Sequence, residues 1–167
     1  MQVRLGAFLI ALLASATLAA SAQPERVSVS QRWSVYRIGS GSGRECFAHS
    51  TPVKSEGKYA QRGEVMVQIS HRPAQKVRDE ISFTAGYTFK PGSALELDID
   101  GKKFGLFTHE DRAYARDAAA DKLITEAMKK GKEMLARGIS SKGTSTLDHY
   151  PLAGFASAHQ SLDKACP

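Results

Sequence analysis

Along residues 81–89, Ile81, Phe83, Ala85, Tyr87 and Phe89 fall on one face, while Ser82, Thr84 and Thr88 fall on the other. Strict alternation of this kind predicts a strand with one buried face. Residues 64–71 repeat it more weakly, with Val65, Val67 and Ile69 set against Met66, Gln68 and Ser70. Leu95, Leu97 and Ile99 alternate with Glu96, Asp98 and Asp100. Pro91-Gly92 before this segment suits a type II turn, and Asp100-Gly101 after it is a strong hairpin signal leading to Phe104, Leu106 and Phe107. Residues 81–107 therefore predict a three-stranded meander. Residues 33–38, with Trp33, Val35, Tyr36 and Ile38, form a further β-rich segment that ends at the glycine-serine stretch 39–43. A short strand opens at Cys46-Phe47-Ala48.

Later the period changes. Leu123, Ile124, Ala127 and Met128 cluster at helical spacing within 117–130. Asp117 and Asp121 near its start and Lys129-Lys130 near its end match the helix dipole, and Gly131 supplies a stop. Phe155, Ala158, Leu162 and Cys166 mark a final helix with Cys166 on its buried stripe. Between the helices, 132–150 predicts one or two strands broken by Gly138 and Gly143. The fold class is mainly β: a single antiparallel β-sandwich-like domain, or a curled sheet, with two helices packed near the C-terminus.

The start of the chain does not belong to that domain. Arg4 precedes an apolar run over 5–13, and small residues then lead to Ala20-Ser21-Ala22 before Gln23-Pro24. This is the charged, apolar and cleavage-site sequence of a secretory signal, with an apolar part shorter than a membrane span needs; an uncleaved N-terminal anchor is the alternative. The expected division is a signal peptide over 1–22 and one domain over 23–167. Removing the signal takes away Arg4 alone among charged residues, so the remainder carries 22 − 17 = +5. The charge permits attraction to anionic lipid, glycan or nucleic acid, and export argues against nucleic acid. Asn is absent, so there is no N-x-S/T glycosylation acceptor.

Two cysteines, Cys46 and Cys166, remain in an exported chain. An even pair there favours a disulfide over a metal site or catalytic thiol, and no C-x-x-C spacing supports a redox motif. Two separate thiols are the alternative. A bridge would pin the last helix to the first strands.

No local motif carries a reaction. The histidines are His49, His71, His109, His149 and His159, and none has H-x-H or H-E-x-x-H spacing, so no metal site is expected. His109-Glu110-Asp111 could offer a base and a carboxylate, although such a trio more often makes a solvated turn opening a helix. Residues 39–43 fail both the nucleophile-elbow and dinucleotide glycine patterns. Ser55…Lys58 and Ser161…Lys164 match S-x-x-K without its companion motifs. The basic run 129–132 lacks interleaved aromatics for stacking on bases. Trp33 could recognise a ligand, but a lone Trp in a strand is more often core.

The pattern as a whole resembles the invasion-associated locus B family of exported Gram-negative proteins. The matching residues are Trp33, Val35 and Cys46; Gly86-Tyr87-Thr88-Phe89-Lys90 with Gly92-Ser93; Ile99-Asp100-Gly101; and Phe104-Gly105-Leu106-Phe107. They continue with Asp111, Met128, Gly131, Gly138 and Gly143, then Asp148-His149-Tyr150-Pro151-Leu152, Gly154-Phe155 and Ala165-Cys166. Pro151 stands where the family usually has a small residue. The resemblance implies a β-rich, sandwich-like domain of the periplasm or outer envelope, and it brings no catalytic residues with it.

The expectation is thus a non-catalytic envelope protein that binds an unidentified envelope or host-surface protein or polymer. It needs no cofactor, binds no nucleic acid and has no transmembrane span after signal cleavage. The periplasm is the first compartment to test, ahead of the outer envelope or secretion. A small exported hydrolase assembled around His109 and Asp111 is the competing expectation, and adhesion through positive charge is a third. Histidines scattered across the fold would remove the hydrolase; a pocket bringing two histidines or a Ser–His pair within hydrogen-bond reach would favour it.

Overall fold

The structure, a computed structural model, describes residues 23–167; the expected signal over 1–22 lies outside them. It contains strands β1 (Glu25–Ser30), β2 (Trp33–Ile38), β3 (Glu45–Ser50), β4 (Lys54–Gly57), β5 (Met66–Arg72), β6 (Val77–Thr84), β7 (Ala94–Ile99), β8 (Lys102–His109) and β9 (Arg112–Tyr114). Helix α1 (Ala118–Lys130), strands β10 (Glu133–Ile139) and β11 (Ser145–Pro151), and helix α2 (Phe155–Ala165) complete it. All the strand pairs are antiparallel, in the order β1-β2-β3-β5-β6-β9-β8-β7-β10-β11-β4.

This sheet curls until its two halves face each other across a common core. Phe83 on β6 meets Tyr150 on β11 edge-to-face at 5.9 Å, and the Trp33 indole on β2 donates to the Pro151 carbonyl at 3.2 Å. Trp33 is completely buried, packed on Phe155 at 4.6 Å, which makes it core. The alternating positions of the sequence supply that core: Val67, Ile69, Ile81, Phe83, Leu95, Leu97 and Ile99 are all buried.

The meander over 81–107 is the expectation that needs correction. β6 begins earlier, at Val77, and stops at Thr84; it pairs with β5 and β9, not with β7. Gly86 breaks the strand. Its φ of +70° suits glycine, and a Cβ there would sit 2.6 Å from the Gly63 carbonyl oxygen. Beyond it the chain crosses to the other half, where Phe89 bridges Ser140. The hairpin at Asp100-Gly101 forms as expected, with both residues at positive φ and the Asp98 carboxylate accepting from the Gly101 N–H. Gly138 does not interrupt its segment: it lies inside β10, and the break falls only at the Gly143 turn.

Both helices occupy their expected places. Asp117 caps α1 by accepting from the Ala120 N–H at 2.8 Å. Its buried stripe is Asp121, Ile124, Thr125 and Met128, while Leu123 points outward and is 57% exposed. On α2 the stripe is Phe155, Ala158, His159, Leu162 and Ala165, packed over β1, β2 and β3. No helix among the described residues is long and apolar enough to cross a membrane.

Candidate functional site

Cys46 on β3 and Cys166 just beyond α2 are joined in a disulfide spanning 120 positions, with Cα atoms 5.9 Å apart. The helical stripe delivers Cys166 to the sheet, because each turn of α2 buries a residue every three or four positions. Cys46 lies opposite His71 in the β3–β5 register. His71 continues the buried face of Val67 and Ile69, and its side chain has no solvent exposure.

Around His71 the fold gathers three further polar side chains. The β5–β6 register slips between Ser70 and Arg72, and Asp79 sits in that bulge at φ +58°. A bulge re-aims the side chain it carries. Here it places Asp79 Oδ1 3.0 Å from His71 Nε2 and 2.6 Å from His159 Nε2. Asp163, one turn along α2 from His159, lies with Oδ2 3.2 Å from His159 Nδ1. Burial opposes the charge on Asp79, but the hydrogen bonds from His159 and His71 outweigh it and hold the carboxyl well below the usual carboxylate range.

Elsewhere the halves of the sheet are tied by Arg62. Its Nη1 and Nη2 donate to the two Asp148 oxygens, both at 2.7 Å, and its Nε donates to the Ala85 carbonyl at 2.7 Å. Both side chains are almost wholly buried. The guanidinium lies over the rings of Tyr87 and Tyr59, at 5.0 Å and 5.5 Å. Two open clefts flank Tyr87. One, of about 730 Å³, includes Glu64, Glu110, Asp111 and Arg112; the other, of about 740 Å³, includes Lys58, Tyr59, Ser140, Ser141, Lys142 and Thr146.

His109 and Asp111 do not make a site. His109 ends β8 exposed to solvent, and Asp111 stands in the turn before β9, where its backbone carbonyl accepts from the Ala85 N–H. Among the described residues no hydrogen bond or ion pair joins their side chains. The trio is a hairpin turn, not the opening of a helix. Of the other histidines, His49 packs against Tyr36 and Phe47, where burial lowers its pKa, and His149 lies between Glu56 and Glu133. The histidines are not all scattered: His71 and His159 meet, with ring centroids 5.8 Å apart. No serine hydroxyl among the described residues bonds to either, and Ser161 Oγ instead donates to the Ser157 carbonyl.

The model of the invasion associated locus B (IalB) proteins matches residues 33–163. The chain belongs to that family. The match runs from the core tryptophan to Asp163, so it contains Cys46 and the histidine cluster and stops short of Cys166. The crystal structure of invasion associated protein B from Bartonella henselae shares the fold, with a TM-score of 0.57 over 85% of this chain and 95% of that one at 16% identity. Comparison with curated protein sequences returns no match. Asp79 and Asp163 carry no signal of their own in this IalB-family sequence, and no local spacing joins His71 to His159. The available signal was histidine on a buried face: His71 keeps the period of β5, and His159 keeps that of α2.

Proposed function

We propose that this IalB-family chain is an exported, non-catalytic envelope protein that binds a surface polymer or protein segment along the two clefts beside Tyr87. Residues 1–22 direct export and are removed, leaving the +5 domain in the periplasm or outer envelope. The disulfide is consistent with this setting, since such bonds persist in oxidising compartments. One observation carries the binding role. Among the described residues, the clefts that reach solvent hold no hydrogen-bonded nucleophile–base pair. They offer instead an aromatic ring, hydroxyls and two lysines at one side and carboxylates at the other. Open walls of that composition suit an extended polar ligand more than an enclosed small substrate.

The first test is N-terminal sequencing of the protein recovered from periplasmic and medium fractions, expected to begin at Gln23. Material that retains Met1 and stays in the cytoplasm would refute export. The second is crosslinking of the oxidised domain in envelope fractions, beside a Lys58→Ala/Lys142→Ala variant and a Cys46→Ser control. The double variant is expected to lose the crosslinked product while keeping its melting temperature. Undiminished crosslinking would move binding away from the clefts. Contacts through Lys58 and Lys142 are expected to weaken as salt rises.

A further inference from the structure

The cluster beside the disulfide has a donor–acceptor pattern that neutral imidazoles do not satisfy. Asp79 Oδ1 takes an N–H from Nε2 of both rings. Each Nδ1 then faces oxygen as well: His159 Nδ1 is 3.2 Å from Asp163 Oδ2, and His71 Nδ1 is 3.4 Å from the Cys166 carbonyl and 4.0 Å from Asp163 Oδ1. A neutral imidazole has one N–H, so its second nitrogen presents a lone pair. Lone pairs aimed at a carboxylate and a carbonyl inside a protein repel, unless a positive species lies between them.

From this arrangement the geometry points to a divalent transition-metal site, of the Zn²⁺ class, built from His71 Nδ1, His159 Nδ1 and the Asp163 carboxylate. One ligand atom from each of these residues lies within 4.8 Å of the others. Tetrahedral zinc with bonds of about 2.0–2.2 Å needs edges of about 3.3–3.6 Å; His159 Nδ1 and Asp163 Oδ2, 3.2 Å apart, already have that spacing, and the wider separations have to close by up to about 1 Å. The Cys166 carbonyl completes the set, which closes the site to a reacting water and gives the ion a structural part. Asp79 has the part of the carboxylate behind a metal-bound histidine, fixing both rings with Nε2 protonated and Nδ1 free. Two imidazoles with carboxylate suit zinc, copper or nickel better than magnesium or calcium. Two aspartates and two neutral imidazoles carry two negative charges, of which Arg78 meets one at Asp163 Oδ1, so the cluster keeps a net negative charge for a cation to meet.

Two details of the fold favour this reading. Asp79 is held in the left-handed region by the β-bulge, a conformation that costs a non-glycine residue and persists where its surroundings impose it. Asp163 is 40% exposed at its side chain, while His71 and His159 are buried, so the ion has an entrance on one side. Arg78 occupies Asp163 Oδ1 at 2.6 Å from outside and leaves Oδ2 turned to the rings. The sequence offered no metal site because these ligands come from β5 and α2 and share no local spacing.

The test is calorimetric titration of the oxidised domain with ZnCl₂ at neutral pH, with the visible spectrum of the Co²⁺ form as a second readout. One equivalent is expected to bind and to raise the melting temperature. Asp163→Asn, which keeps the shape and one acceptor oxygen, is expected to weaken binding about tenfold or more, and Asp79→Asn by about 10- to 100-fold. His149→Ala removes the competing surface histidine between Glu56 and Glu133 and is expected to leave the affinity unchanged. His159→Gln is expected to abolish binding; because it could also unfold the domain, the metal-free melting temperature of each variant is measured first, and Asp163→Asn decides if it alone folds. No binding of Zn²⁺, Co²⁺, Cu²⁺ or Ni²⁺ would overturn the proposal and leave protons as the positive species. Binding that survives Asp163→Asn, or is lost in His149→Ala, would overturn it too.

Discussion

Arg62 and His71 each anchor a buried polar network in this sandwich, and the two networks are completed differently. At Arg62, forked N–H groups meet the two oxygens of Asp148 and the Ala85 carbonyl, and aromatic rings cover the face of the guanidinium. Charge and hydrogen-bond capacity are balanced within the protein. At His71 and His159, oxygen stands at both nitrogens of both rings, so the balance requires a proton or an ion from outside. A closed network of the first kind serves to hold strands together. An open one responds to what the solution supplies.

The sharpest way to break this comparison is to remove one side of the closed pair. Arg62→Met leaves the Asp148 carboxylate buried without its partner, and a loss of about 3–5 kcal/mol is expected in urea unfolding. Arg62→Met/Asp148→Leu is expected to recover most of it, because well-packed apolar residues replace a buried pair at little cost. A single variant within about 1 kcal/mol of wild type would show that the pair is solvated. Opening the disulfide should come next. Cys46→Ser/Cys166→Ser is expected to lose about 2–4 kcal/mol, below the chain-entropy ceiling of about 5 kcal/mol for so long a loop. Because that bond lies beside the histidine cluster, the same variant should also weaken Zn²⁺ binding, whereas Arg62→Met/Asp148→Leu should not.

A smaller effect separates two neighbouring carboxylates. Asp79 is held low by its histidines, whereas burial, with the charges of Glu80, Asp79 and Asp117, pushes Asp121 up to about 6 despite the N–H it receives from Ile81. A carboxyl raised by folding favours the folded state when protonated. Its contribution is therefore full below about pH 4 and disappears as the pH rises through about 6. Stability is expected to increase as the pH falls from 8 to 5, while Asp79 stays ionised throughout. Asp121→Asn should flatten that slope and stabilise the domain at pH 8 by about 1–2 kcal/mol. An unchanged slope in thermal melts would assign the effect to another group. The smallest expected loss is about 1 kcal/mol for Asp117→Ala, from the cap of α1.

What was legible in the sequence was what short stretches carry by themselves. Trp33–Ile38 is rich in β-forming residues, Asp117 and Gly131 bracket one helix, and the stripe ending at Cys166 marks the other; all three lie where their residues indicate. The pairing of β6 was hidden, because its neighbour β9 has only three residues, too few to display a period. Leu123 shared the helical spacing of Ile124 but faces solvent beside Phe107, since what a helix buries depends on the surface it meets. The histidine cluster was hidden for a stronger reason. It depends on a register slip between β5 and β6 that turns Asp79 inward, and a slip of that kind leaves no period to read.

The length of the disulfide loop also constrains how the chain matures. During synthesis Cys46 appears 120 positions ahead of Cys166, and its thiol has to wait while the later strands and both helices are added. With only two cysteines in the sequence, one intramolecular pairing exists. Oxidation within a single molecule therefore gives the native bond or none, and no shuffling enzyme is needed to correct it. The remaining error is a bond between two molecules whose α2 has not yet docked. Its frequency rises with the local concentration of newly made chains, so expression level sets the yield of correctly oxidised protein.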